Sequence, residues 1–269
     1  MEHMYITNNE KLAVELEKIG VEIIWIDLEK NGKYERQKHL DSVKSNHLLE
    51  DIKKISPLLK KAKLMVRINP IYEGSKEEID TAINYGADII MLPMFKTKEE
   101  VQRLYDLINK RCQVILLLET KEAVKNLKEI LEISEIKNIH IGLNDLSLSY
   151  GYKFMFQCLS EGIVENICST LREKKIKYGF GGIANIGEGT LPAELILSEH
   201  FRLGSQQVIL SRGFCKVNYE ENSDKFLEIY RENFNLLKSK EKEYKNLSEI
   251  ELLENKKRVD RIVEEIIKN

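Results

Sequence analysis

The sequence predicts an α/β fold, a (β/α)8 TIM barrel with additional C-terminal helices, and three observations carry that prediction. Eight apolar runs of about five to seven residues, rich in Ile, Val and Leu, alternate with charged stretches of helical period, the pattern of parallel strands covered on both faces. A length of 269 residues accommodates one such barrel without splitting. An open doubly wound sheet, the runner-up, usually carries a G-x-G-x-x-G turn after its first strand, and Asp27-Leu28-Glu29-Lys30-Asn31-Gly32 is not that motif.

Taken in order, the first strand is short, Met4 to Thr7, and a helix over Asn9 to Ile19, ended by Gly20, leads to the second strand at Glu22 to Glu29. The remaining strands are predicted at Lys63 to Asn69, Asp88 to Met94, Gln113 to Thr120, Asn138 to Asp145, Lys177 to Ile183 and Gln206 to Ser211. Helices are predicted over Glu77 to Tyr85, stopped by Gly86, and over Lys98 to Lys110, with Thr97 as N-cap. Lys121 to Ile133 carries Ala123, Val124, Leu127, Ile130 and Leu131 on one stripe. Glu161 to Lys174 and Leu191 to Arg202, with Pro192 in its opening turn, complete the set.

From about Tyr219 the pattern changes. Phe226, Ile229, Tyr230, Phe234 and Leu237 form one helical stripe, and Val259, Ile262, Val263, Ile266 and Ile267 form another. The expected organisation is a catalytic barrel over residues 1–217 and a helical extension over 218–269 that packs on the barrel or on a neighbouring subunit of a homo-oligomer.

Charged residues make up 32% of the chain with a net charge of −2, which gives no field to attract nucleic acid or an anionic membrane. The expected partner is a small molecule. No stretch reaches the length of a membrane span, and the first twenty residues lack a basic start and apolar centre, so a cytoplasmic location is expected. Cys112, Cys158, Cys168 and Cys215 form no C-x-x-C pair and are read as reduced and packed.

Three of the predicted strands reach a charged residue: Leu64 to Asn69 contains Arg67, Val114 to Thr120 contains Glu119, and Ile139 to Leu146 contains Asn144 and Asp145. An ionised group at the rim of an apolar core must be paired, hydrogen-bonded or metal-bound. Side chains alternate along a strand, so Glu119 shares a face with Ile115 and Leu117, and Asp145 with Ile139, Ile141 and Leu143. Asp27 and Glu29 share one with Ile23 and Trp25. If these faces point inward, the acids meet at the barrel mouth. Two such carboxylates suit a hard cation, Mg²⁺ or alternatively Mn²⁺ or Co²⁺, that chelates a 2-keto acid and stabilises its enolate. Arg67 would hold the developing oxyanion. The blander alternative is a structural salt bridge between Arg67 and one of the acids.

Met65-Val66-Arg67-Ile68-Asn69-Pro70, Gly86-Ala87-Asp88-Ile89-Ile90-Met91-Leu92-Pro93-Met94, Leu118-Glu119-Thr120 and Ile141-Gly142-Leu143-Asn144-Asp145-Leu146-Ser147, in this order, resemble the HpcH/HpaI aldolase and citrate lyase beta-subunit family. The resemblance runs from about residue 4 to about residue 215. It implies a (β/α)8 barrel, Arg67 as the catalytic arginine, Glu119 and Asp145 as the two metal ligands, and Asp27 and Glu29 as an acidic motif that holds waters of the metal. The reactions it implies make or break carbon–carbon bonds through a pyruvate or acetyl-type enolate.

Two departures stand out. The aldolase branch has a histidine after the acidic motif that works with a water as base, and this chain has Lys30 there. His39 and His47 follow and could substitute, although a loop histidine is more often solvated. The second departure is Gly179 to Gly189, dense in glycine, where the amides of Gly181 and Gly182 could approach a substrate anion. Ser211 and Arg212 would add a contact at that rim. His140 and His200 read as structural. These readings assign catalysis to Arg67, Glu29 and Lys30, the metal to Glu119 and Asp145, and substrate contacts to Asp27, Asn144, Gly181, Gly182 and Arg212.

The leading function is a metal-dependent lyase of the aldolase type acting on a hydroxylated 2-keto acid. An acyl-CoA lyase or thioesterase of the citrate lyase or malyl-CoA type is the alternative that Asp27-Leu28-Glu29 and the missing histidine favour. A barrel without catalysis, serving in binding or assembly, is the third.

Overall fold

The computed structural model describes residues 1–31 and 46–268. Its strands are β1 (Glu2–Ile6), β2 (Ile23–Asp27), β3 (Lys63–Arg67), β4 (Ile89–Leu92), β5 (Gln113–Leu118), β6 (Asn138–Ile141), β7 (Lys177–Ile183) and β8 (Gln207–Leu210). They follow one another in chain order as a closed parallel barrel, the predicted fold. Among the described residues the helices are α1 (Glu10–Ile19), α2 (Leu49–Ile55), α3 (Ser75–Asn84), α4 (Lys98–Ile108), α5 (Lys121–Lys125) and α6 (Leu127–Ile130). They continue with α7 (Leu143–Ser149), α8 (Gln157–Ser160), α9 (Ile163–Glu173), α10 (Ala193–Leu203), α11 (Ser223–Tyr244) and α12 (Glu249–Lys268). No helix among them is long and apolar enough to cross a membrane.

Chain contacts divide the protein into two compact units, Met4–Ile139 and Met1–His3 with His140–Asn269. In the Met4–Ile139 unit the register of β2 on β3 runs from Ile23 opposite Lys63 to Asp27 opposite Arg67. Ile24, Ile26, Val66, Ile90 and Leu92 are fully buried, as strands covered on both faces require. Polar caps set the helix limits. The Asn9 side chain accepts from the Leu12 amide, Gly20 ends α1 at φ +119°, and Thr97 and Glu100 form a capping box on α4. The predicted helix Lys121 to Ile133 is two pieces instead. At the break Asn126 has φ −91° and ψ +5°, and its side-chain amide donates to the Lys96 carbonyl at 3.0 Å.

In the other unit, β7 bulges against β8 between Gly179 and Gly182. A Cβ at Gly179 would fall 2.0 Å from the Gln207 carbonyl oxygen, so only glycine fits there. Phe180 stacks flat on His200 with ring centroids 3.9 Å apart. The stripe Phe226, Tyr230, Phe234 and Leu237 of α11 is buried, and α12 packs along α10 and α8. Near the end of α11, Glu241 takes the Nε2 of His3 in β1 at 2.7 Å, with both side chains buried. Burial pushes the Glu241 carboxyl up. The hydrogen bond and charge of His3, with Lys238, outweigh it and hold the group at about 2.

The sixth strand corrects the sequence reading. It ends at Ile141, and the expected strand residues Leu143, Asn144 and Asp145 open helix α7. The alternation that placed Asp145 on the face of Ile139 and Ile141 therefore does not apply. Asp145 stands in the first helical turn, where a carboxylate complements the helix dipole, and the Ser147 hydroxyl donates to the Asn144 carbonyl at 2.7 Å.

Candidate active site

Arg67 is the last residue of β3 and lies opposite Asp27, the last residue of β2. Its Nε and Nη2 donate to the two Asp27 carboxylate oxygens, each at 2.8 Å, and Nη1 stands 3.4 Å from Glu29 Oε2. The guanidinium carbon lies 4.9 Å from the centre of the Trp25 ring. Side-chain exposure is 11% for Arg67, 1% for Asp27 and 2% for Glu29, so the cluster is largely desolvated and its charges are screened less than at the surface. Burial alone would lower the Arg67 pKa. Asp27, Glu29 and Glu119 reverse this and raise it, so Arg67 is a permanent cation. Two of its five N–H groups go to Asp27 and one faces Glu29, which among the described residues leaves one on each of Nη1 and Nη2.

The start of the loop after β2, as far as Asn31, is tied down residue by residue. The Asp27 amide donates to His47 Nδ1 at 3.0 Å, Leu28 to the Arg67 carbonyl at 2.9 Å, and Glu29 to Asp27 Oδ1 at 3.2 Å. His47 is thus a buried acceptor and not a solvated loop histidine, and the proton of its neutral ring sits on Nε2. Lys30 and Asn31 both donate their amides to Asn69 Oδ1, at 2.8 and 3.0 Å, and Lys30 itself is exposed. Lys30, His47, Asn69, Tyr72 and Glu78 line one cleft of about 380 Å³. His39 lies outside the described residues.

Glu119 follows directly on β5 and is 3% exposed. Its Oε1 accepts the Met94 amide at 3.1 Å, and Met94 reaches it by adopting φ +55°. A side chain other than glycine pays of order 1 kcal/mol for that conformation. Next to Glu119, Thr120 donates its hydroxyl to the Phe95 carbonyl and caps α5. The sequence carried no signal for the roles of Met94, Asn69 or Glu78, because each acts through a backbone amide or through another side chain.

In the other unit Asp145 is buried and Asn144 exposed on α7. Gly181 and Gly182 belong to β7 itself. Gly181 stands at φ +51°, where a Cβ would press on Leu143 Cδ1 at 2.7 Å, and its carbonyl contacts His140 Nε2 at 3.1 Å. Arg212 is exposed and opens the short turn after β8. Glu119 and Asp145 are buried oxygen donors, the chemistry that fits a hard divalent cation. Among the described residues no group of three or more His, Cys, Asp or Glu side chains is placed to hold a metal.

The family model of HpcH/HpaI aldolase/citrate lyase matches residues 4–161. A similar solved structure is that of an HpcH/HpaI aldolase from Desulfitobacterium hafniense DCB-2, with 13% identity over 78% of this chain and 85% of that one and a TM-score of 0.59. At that identity the likeness speaks for the fold. A comparison with curated proteins found no match.

Proposed function

This chain belongs to the HpcH/HpaI aldolase/citrate lyase family, and we propose that it is a divalent-metal-dependent carbon–carbon lyase acting on a hydroxylated 2-keto acid through a pyruvate-type enolate. The observation that carries the proposal is Arg67, fixed by Asp27 and Glu29 at the end of β3 with two N–H groups left over. Those groups donate to the substrate oxygen on which negative charge develops as the carbon–carbon bond breaks. A preset cation there stabilises the transition state more than the ground state.

Glu119 and Asp145 are the residues proposed to hold Mg²⁺, Mn²⁺ or Co²⁺, because the motifs around them match the family pattern. When bound, the ion would polarise the carboxylate and ketone oxygens of the substrate. Glu29 and Lys30, on the loop after β2, are assigned the proton chemistry. One takes the proton of the substrate hydroxyl as the bond breaks, and a proton returns to the carbon that becomes the pyruvate methyl group.

A second reading keeps this chemistry and replaces the keto acid by an acyl-CoA thioester. The buried pair Asp27 and Glu29 followed by Lys30, with no histidine at that place, favours it. Both readings describe a cytoplasmic, homo-oligomeric enzyme for small molecules. The test is release of pyruvate from a panel of 4-hydroxy-2-keto acids, and cleavage of malyl-CoA and citramalyl-CoA, with and without chelator. Turnover that chelator leaves unchanged would remove the metal from the mechanism, and no turnover on either panel would remove the lyase.

A further inference from the structure

Every backbone amide from Asp27 to Asn31 has an acceptor, and the last two share one atom, Asn69 Oδ1. Asn69 belongs to the arginine motif but stands two residues past Arg67, beyond the end of β3. Its other side-chain atom, Nδ2, donates to Glu78 Oε1 at 2.7 Å, and its own amide faces the same carboxylate at 3.3 and 3.4 Å. Glu78 sits in the first turn of α3 and is 7% exposed. An amide side chain is the group that can serve both neighbours, since it accepts on one side and donates on the other.

We infer that Asn69 is a positioning residue, gripped by Glu78, which holds the loop carrying Glu29 and Lys30 at a fixed distance from Arg67. The inference rests on the lyase reading for its catalytic meaning, while the restraint itself is a matter of geometry. Three elements meet in it. The first turn of α3 fixes Glu78, Glu78 fixes the Asn69 rotamer, and Asn69 fixes the two amides. Loss of any link frees the chain at Lys30 and Asn31 and leaves Asp27 held by Arg67 and the Asp27 amide held by His47. Burial raises the Glu78 pKa against the donors of Asn69, so a second carboxylate at position 69 would be poorly tolerated there.

That last point supplies the test. Asn69→Ala removes the acceptor, and Asn69→Asp keeps it but sets two carboxylates against each other. Asn69→Asp with Glu78→Gln restores a donor facing an acceptor, with direction reversed and the charge of the pair unchanged. Amide exchange of Lys30 and Asn31 in the labelled full-length protein should accelerate roughly fivefold or more in Asn69→Ala. kcat on the best substrate of the panels should fall by roughly tenfold to a hundredfold with KM nearly constant, the size seen when a supporting contact is lost. Asn69→Asp should lose activity and the double variant should regain most of it. Unchanged exchange in Asn69→Ala, or a double variant no better than Asn69→Asp, would overturn the inference. Should the wild-type protein turn over neither panel, the lyase reading falls and the exchange rates alone decide whether Asn69 holds the loop.

Discussion

Asp27 and Arg67 face each other across the last rung of β2 and β3, joined by two hydrogen bonds of 2.8 Å. A fork-to-fork pair of this kind fixes the guanidinium in orientation as well as in place. Arg67→Lys keeps the charge and loses the fork, so kcat should drop by roughly a hundredfold to a thousandfold. Asp27→Asn should cost about 3 kcal/mol in urea unfolding, because it strips one partner from a buried cation. A lysine variant with near-normal kcat would show that Arg67 does not meet the developing charge.

Glu119 and Asp145 are proposed to bind the divalent ion. Glu119→Gln and Asp145→Asn should each weaken Mn²⁺ binding, read by electron paramagnetic resonance, by roughly tenfold or more. Ion binding that survives both substitutions would move the metal elsewhere.

Lys30 and Glu29 separate by pH profile. If Glu29 takes the proton, Glu29→Gln abolishes the acid limb of the kcat profile and Lys30→Ala leaves it in place; if Lys30 does, the pattern reverses. Lys30→His places the side chain of the aldolase branch at this position. Under the leading reading it retains or raises aldolase activity.

Acid stability depends on two histidines outside this site. Burial lowers the pKa of His140 to about 4, against the Gly181 carbonyl, and that of His200 to about 3 with help from the charge of His140. Both are neutral in the folded protein while the unfolded chain protonates them below its ordinary value of 6.5. The unfolded state therefore binds more protons, and stability is full above that pH and declines as pH falls toward 4. Between pH 7.5 and 5.5 the pair should account for roughly 2 to 3 kcal/mol, measured by urea unfolding. A urea midpoint that does not move over that window would contradict it.

The strand order and the Arg67 cluster were legible because apolar runs and buried charges are properties of single segments. Asp27, Glu29 and Arg67 stand out wherever an ion meets a hydrophobic strand. Other features depend on partners distant in sequence. Leu143-Asn144-Asp145 continues an apolar run and reads as strand, yet Gly181, whose missing side chain makes room for Leu143, lets the chain turn into a helix there. His47 reads as a loop residue until the Asp27 amide is seen to end on it. Asn126, where the predicted helix divides, has its side-chain partner at Lys96, thirty residues back.

The pairing of His3 with Glu241 has a consequence in time. The two residues are 238 positions apart, so His3 leaves the ribosome long before its Glu241 partner in α11 is made. Contacts of such separation close late and slow the final step of folding. The bond between β1 and α11 is thus among the last that a chain made from its N-terminus can form.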